Sequence, residues 1–108
     1  MHRRPQPSNA GRDLFVTQLG PLLQAGEATR GLHIDQRRGA IVLSGTWVDD
    51  VSGHEEPDPR FRLTPLGGTQ FGLSLWRGAR WERLPFEGSL TDLVDVINTV
   101  LPHWAQDL

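Results

Sequence analysis

Residues 60–83 read Arg60-Phe-Arg-Leu-Thr-Pro-Leu-Gly-Gly-Thr-Gln-Phe-Gly-Leu-Ser-Leu-Trp-Arg-Gly-Ala-Arg-Trp-Glu-Arg83. Phe61 and Leu63 alternate with Arg60, Arg62 and Thr64; Phe71, Leu73 and Leu75 alternate with Gln70, Gly72, Ser74 and Trp76. A period of two belongs to half-buried strands, whose successive side chains point to opposite faces. Strands are therefore expected over 60–66 and 70–77. A two-residue turn at Gly67-Gly68 would set Phe71 opposite Thr64 and Leu73 opposite Arg62, mixing the faces. A loop of three or five residues with a glycine bulge sets Leu63 against Phe71 and Phe61 against Leu73, and is the expected connection. Gly78-Ala79 reads as a two-residue hairpin turn with glycine first. It pairs Trp76 with Trp81 and Ser74 with Arg83, on the face away from Phe71, Leu73 and Leu75.

Downstream, Ser89-Leu-Thr-Asp92 fits a capping box in its Asp form, and Leu90, Leu93, Val94, Ile97, Val100 and Leu101 form a helical stripe. Pro102 would clash with the Asn98 carbonyl, so this helix should end near Leu101, with His103 and Trp104 in a short extra turn. Upstream, Leu32 and Ile34 alternate with His33 and Asp35, and Gln36 to Gly39 turns the chain, with Gly39 at positive φ. Residues 40–48 are almost continuously apolar, as in a central strand. Residues 49–59 hold two prolines and five acids, and read as a solvated loop. Residues 10–28 form a helix with Phe15, Leu19, Leu22 and Leu23 on one face. Ser8 or Asn9 suits its cap and Asp13 its first turn, while Gly20-Pro21 should kink it or split it into two short helices. Residues 1–9, with two prolines and no hydrophobic anchor, read as a mobile tail before a single domain over 10–108. The order is α-β-β-β-β-β-α. The fold expected is α+β: a two-layer sandwich of one antiparallel sheet with both terminal helices on one face, the other face left open.

A chain of 108 residues with 37% hydrophobic and 22% charged residues suits one folded domain and excludes full disorder. The absence of Cys excludes disulfides, zinc thiolates and thiol nucleophiles. All 11 basic residues are Arg, as GC-rich coding would produce, so P-loops and Schiff-base lysines are excluded as well. Charge runs in blocks: residues 1–38 are net positive, 49–58 carry Asp49, Asp50, Glu55, Glu56 and Asp58, residues 60–83 set five Arg against Glu82, and the remainder is acidic. The net charge of −2 argues against a dedicated, non-specific nucleic-acid binder, and alternating blocks suit a protein that meets other proteins. The polar N-terminus and the lack of any long apolar run lead to a cytoplasmic expectation and no membrane partner.

The face that gathers Arg60, Arg62, Trp76, Trp81 and Arg83 is the candidate site. Trp and Arg dominate binding hot spots because they bury large areas and keep a polar handle. The same residues would also serve as a stabilising cross-strand pair shielded by arginine stems. Aromatics interleaved with Arg suit single-stranded nucleic acid too, which is the second candidate partner after a protein or a second copy. The acidic stretch 49–58 offers carboxylates for a divalent cation but departs from the EF-hand spacing. The histidines at 2, 33, 54 and 103 form no metal clip, His33 reads as an exposed strand residue, and no nucleophile elbow or dinucleotide fingerprint exists. No catalytic residue, metal site or cofactor is expected, and the function expected is a non-enzymatic interaction module.

The element order, with the stretch running from Trp81 to Ser89-Leu-Thr-Asp-Leu-Val, resembles the frataxin-like arrangement of two helices against a five- or six-stranded sheet, over about 80 residues. That resemblance implies a metal-binding, iron-linked role as a further alternative. Frataxins carry a strongly acidic first helix, whereas residues 10–28 hold only Asp13 and Glu27 as acids.

Overall fold

A computed structural model describes residues 7–105, with side chains from Phe15 onward, Trp47 excepted. Helix α1 (Pro7–Ala25) precedes five strands, β1 (His33–Arg37), β2 (Ala40–Val48), β3 (Glu55–Gly67), β4 (Gln70–Trp76) and β5 (Trp81–Gly88), and α2 (Leu90–Thr99) and the single turn α3 (Pro102–Ala105) close the chain. The strands pair in sequence order as one antiparallel meander. The architecture is the expected α+β sandwich.

Alternation decides which face is covered. Ile41, Leu43, Phe61, Leu63, Phe71, Leu73 and Leu75 join Leu19 and Leu23 of α1 and Leu90, Leu93, Val94 and Ile97 of α2 in one core, each at most 4% exposed. The Phe15 ring meets Phe71 edge-on at 5.1 Å, which fixes α1 over the start of β4. Both helices thus lie on one side. Each buried Leu, Ile or Phe contributes about 1.5–3 kcal/mol, so this layer carries most of the stability. Ser89 caps α2 as its sequence implies: its hydroxyl accepts from the Asp92 N–H at 3.2 Å, and its own N–H donates to the Asp92 carboxylate at 3.1 Å. The regular helix stops at Thr99, two residues short of Leu101, and Pro102 opens the extra turn that holds His103 and Trp104.

Several expectations require correction. The first helix begins at Pro7 and ends at Ala25, so Ser8 and Asn9 lie within it and Asp13 falls beyond its first turn. It also runs through Pro21 as one helix, so the split into two short helices does not occur. The lost N–H is tolerated because Leu19, Leu22 and Leu23 on either side pack into the core. Of the tail proposed over 1–9, residues 1–6 lie outside the described residues, and Pro7, Ser8 and Asn9 belong to α1. Leu32 precedes β1 and is buried, while the β1–β2 turn shrinks to Arg38-Gly39, both at positive φ (48° and 82°) between the paired Arg37 and Ala40.

Two corrections concern β3. Residues 55–59 are strand, paired with residues 44–48 of β2; only 49–54 form the loop. A proline fits a ladder where its missing donor faces away from the partner strand, and β4 does not extend beside this part of β3. Between β3 and β4 the pairs are Leu63 with Leu73, Phe61 with Leu75 and Pro65 with Phe71, two residues away from the expected register, with a bulge near Leu66. A slip of two keeps every side chain on its face, so alternation gives the faces while the partners differ.

Candidate functional site

The uncovered side of the sheet is built by register. One row crosses all five strands: Asp35, Val42, Arg62, Ser74 and Arg83 are successive cross-strand partners. Beside it Trp76 pairs with Trp81, as the two-residue turn requires; Gly78 supplies φ 91°, and the Arg77 N–H donates to the Arg80 carbonyl at 2.9 Å. The indoles meet at 5.1 Å between centroids and 62° between planes, an edge arrangement, and both are half-buried. The Arg62 guanidinium lies 5.0 Å from the Trp81 ring centroid, a cation–π contact.

These residues wall a cleft of about 710 Å³ that runs across the sheet from the β1–β2 turn to the tryptophan pair. Val42, Ser44, Arg62 and Thr64 are among the residues that line it, and Pro57 and Pro59 form part of the wall. Val42 and Ser44 are buried although no helix covers them, because the long side chains around them close over the sheet. Among the described residues no carboxylate lies within ion-pair distance of Arg62, and its buried Nε has no hydrogen-bond partner. The buried hydroxyl of Thr64 is also without a partner. Two further cations of this face are neutralised, Arg37 by Asp35 at 2.7 Å and Arg83 by Glu87 at 2.9 Å, while Arg38, exposed in the β1–β2 turn at the cleft rim, has no ion pair among the described residues. His33 is an exposed strand residue, its Nε2 3.1 Å from the Thr46 hydroxyl.

Of the five residues singled out from the sequence, Arg62, Trp76 and Trp81 line the cleft together. Arg83 shares their face but lies flat over Gly72, where a Cβ would collide with its guanidinium, and outside the cleft. Arg60 does not belong with them. The β2–β3 register jumps from the Leu43–Phe61 pair to the Ser44–Pro59 pair, leaving Arg60 as the extra residue of a bulge. The bulge swings its side chain to the helix side, over Gly45, where it pairs with Asp58 at 2.8 Å and donates to the Trp104 carbonyl at 3.3 Å. There Arg60, Arg77 and Trp104 border a second, shallower cleft of about 640 Å³, with Arg77 stacked 5.5 Å over the Trp104 ring. Sequence reasoning missed this cleft, because only the bulge brings residue 60 toward residue 104.

The acidic loop is a self-contained turn. The Asp49 N–H donates to the His54 carbonyl at 2.9 Å, and the Asp49 carboxylate accepts from the Val51 N–H at 2.9 Å and the Ser52 hydroxyl at 3.1 Å. The Val51 N–H first, and then the Ser52 hydroxyl, hold the Asp49 carboxyl below its ordinary range. Among the described residues no three of His, Asp and Glu stand together as a metal site, so the iron-linked alternative finds no donor set there. No helix among them is long and apolar enough to cross a membrane. The chain matches no protein-family model, no curated protein and no solved structure.

Proposed function

We propose that this chain is a small, cytoplasmic, non-enzymatic interaction module that binds a protein partner, or a second copy of itself, through the open face of its sheet. The observation that carries the reading is the half-buried Trp76–Trp81 pair with Arg62 stacked against it and unpaired with any carboxylate among the described residues. Large aromatic area joined to an idle guanidinium is the composition of a binding hot spot, where desolvated Trp and Arg carry most of the energy. Such a patch persists on a surface when a partner covers it.

The test is the double variant Trp76→Ser with Trp81→Ser. Its near-ultraviolet circular dichroism and cooperative unfolding should remain, because both residues lie on the face opposite the core. Copurification of a partner from the native host, or dimerisation in sedimentation, should be lost. Unfolding of the double variant would make these residues core and end the proposal. Salt-sensitive binding of an oligonucleotide, in place of a protein, would transfer the face to the nucleic-acid reading.

A further inference from the structure

Resting on the reading of the open face as a docking surface, we propose that its occupant is an extended peptide segment of a different protein. The segment places one aspartate or glutamate carboxylate on the Arg62 guanidinium and apolar side chains against Trp76 and Trp81. Arg62 sits mid-sheet, in the row that crosses all five strands, and its planar fork is held by the Trp81 ring at 5.0 Å. A buried polar group without a partner is costly, and two such atoms, Arg62 Nε and Thr64 Oγ1, fall on adjacent outward positions of β3 in the same cleft. A carboxylate, with two acceptor oxygens in one plane, matches a guanidinium fork beside a hydroxyl donor.

Charge distribution selects this occupant over nucleic acid. A phosphate backbone needs cations at successive positions along a track. Here the flanking Arg37 and Arg83 are already paired, their partners Asp35 and Glu87 would repel a polyanion, and the one other unpaired cation of the lining, Arg38, stands exposed at the turn and extends no track past Arg62. One idle fork on the floor of the cleft suits one carboxylate. The cleft, at about 710 Å³, has room for a few side chains of an extended segment. The chain's own acidic stretch is a poor occupant in a second copy: Asp49 is tied into its turn, Asp58 into its pair with Arg60, Glu55 and Glu56 are fixed in the β3 ladder, and Asp50 sits in the tight 49–54 loop, which is no extended segment.

The experiment is a titration of the full ¹⁵N-labelled chain, reading the tryptophan indole N–H and arginine Nε–H resonances. The probes are a capped alanine-leucine-glutamate-leucine-alanine peptide, its glutamine counterpart and an eight-residue oligothymidylate. The glutamate peptide should move the Trp76, Trp81 and Arg62 signals to saturation, and the glutamine peptide should bind at least about tenfold more weakly, since the carboxamide lacks the charge and the second acceptor oxygen that the guanidinium fork takes. Arg62→Gln should abolish that preference while the indole signals of the free chain stay dispersed. Should Arg62→Gln fail to fold, Arg62→Lys, which keeps the charge and loses the fork, should still reduce the preference. Equal binding of both peptides overturns the carboxylate assignment and leaves the docking surface standing. Shifts that grow with protein concentration alone make a second copy the occupant and overturn the proposal likewise. Shifts with oligothymidylate only would overturn both readings. Silence with every probe overturns this proposal, while the tryptophan double variant judges the docking surface separately.

Discussion

Replacing Gly26 by alanine should destabilise this fold by about as much as deleting the Asn98 side chain, and the two losses should not add. The Asn98 carboxamide joins α2 to the turn that follows α1. It accepts from the Ala28 N–H at 2.8 Å and donates to the Thr29 hydroxyl at 3.1 Å and to the Val94 carbonyl at 3.0 Å. Thr29, fully buried, passes the connection on by donating to the Leu23 carbonyl at the end of α1, at 2.8 Å. Asn98→Ala removes two bonds worth about 0.5–1.5 kcal/mol each and leaves the Ala28 donor, only part-buried, without its acceptor at a further cost of about 0.5 kcal/mol. The better helix propensity of alanine returns about 0.5 kcal/mol, so the net loss is about 2 kcal/mol. A Cβ on Gly26 would fall on the Asn98 carboxamide, and Gly26 lies outside the left-handed region, so alanine there is strained only by that collision. Its cost is therefore that of pushing the amide off its partners, again about 2 kcal/mol. In the double variant the space is empty. The total should stay near 2 kcal/mol, a coupling of about 2 kcal/mol between residues 72 positions apart. Urea unfolding of the four proteins, followed by tryptophan fluorescence at constant m, reads this directly. Additive losses, or a Gly26→Ala cost below about 0.5 kcal/mol, would refute the reasoning.

Leu93→Ala or Ile97→Ala, each emptying a site no more than 1% exposed, should cost about 2–5 kcal/mol in the same assay. Ser89→Ala breaks the capping box and should cost about 1 kcal/mol, visible as a fall in Tm of several degrees. Asp49 should titrate below an ordinary aspartate when its carboxyl resonance is followed by NMR. Because the folded state binds that proton more weakly than the unfolded state, the loop's contribution is present above the ordinary aspartate range and is lost as pH falls through the depressed value. Asp49→Asn should therefore remove part of the acid dependence.

The helix stripe from Leu90 to Ile97, the faces of β3 and β4 and the Trp76–Trp81 pair were legible because each depends on local spacing: a period of 3.6, a period of two, a two-residue turn. The β3–β4 partners were not, because a slip of two residues leaves the pattern of faces unchanged and only packing against the helices chooses between them. The strand character of residues 55–59 was hidden by composition. Prolines and acids signal a loop when the neighbours are unknown, and nothing local reveals that one side of that strand is left without a partner. For the site, Arg62, Trp76 and Trp81 followed from alternation, whereas Arg60 was misplaced because a bulge breaks alternation at a point no residue marks. The unpaired state of Arg62 was likewise invisible, since it depends on Asp35 and Glu87 being engaged elsewhere.

The flank of β3 from Glu55 to Pro59 has β2 on one side and no strand on the other. An open strand edge invites a neighbouring chain to add itself and propagate, the first step toward insoluble aggregate. Here Pro57 and Pro59 withhold two of the donors such an addition would use, and Glu55 and Glu56 bring repulsion between like edges. Neutralising those acids removes half of the guard while the prolines stay. Replacing Glu55 and Glu56 by Gln should therefore lower the concentration at which the chain stays in solution.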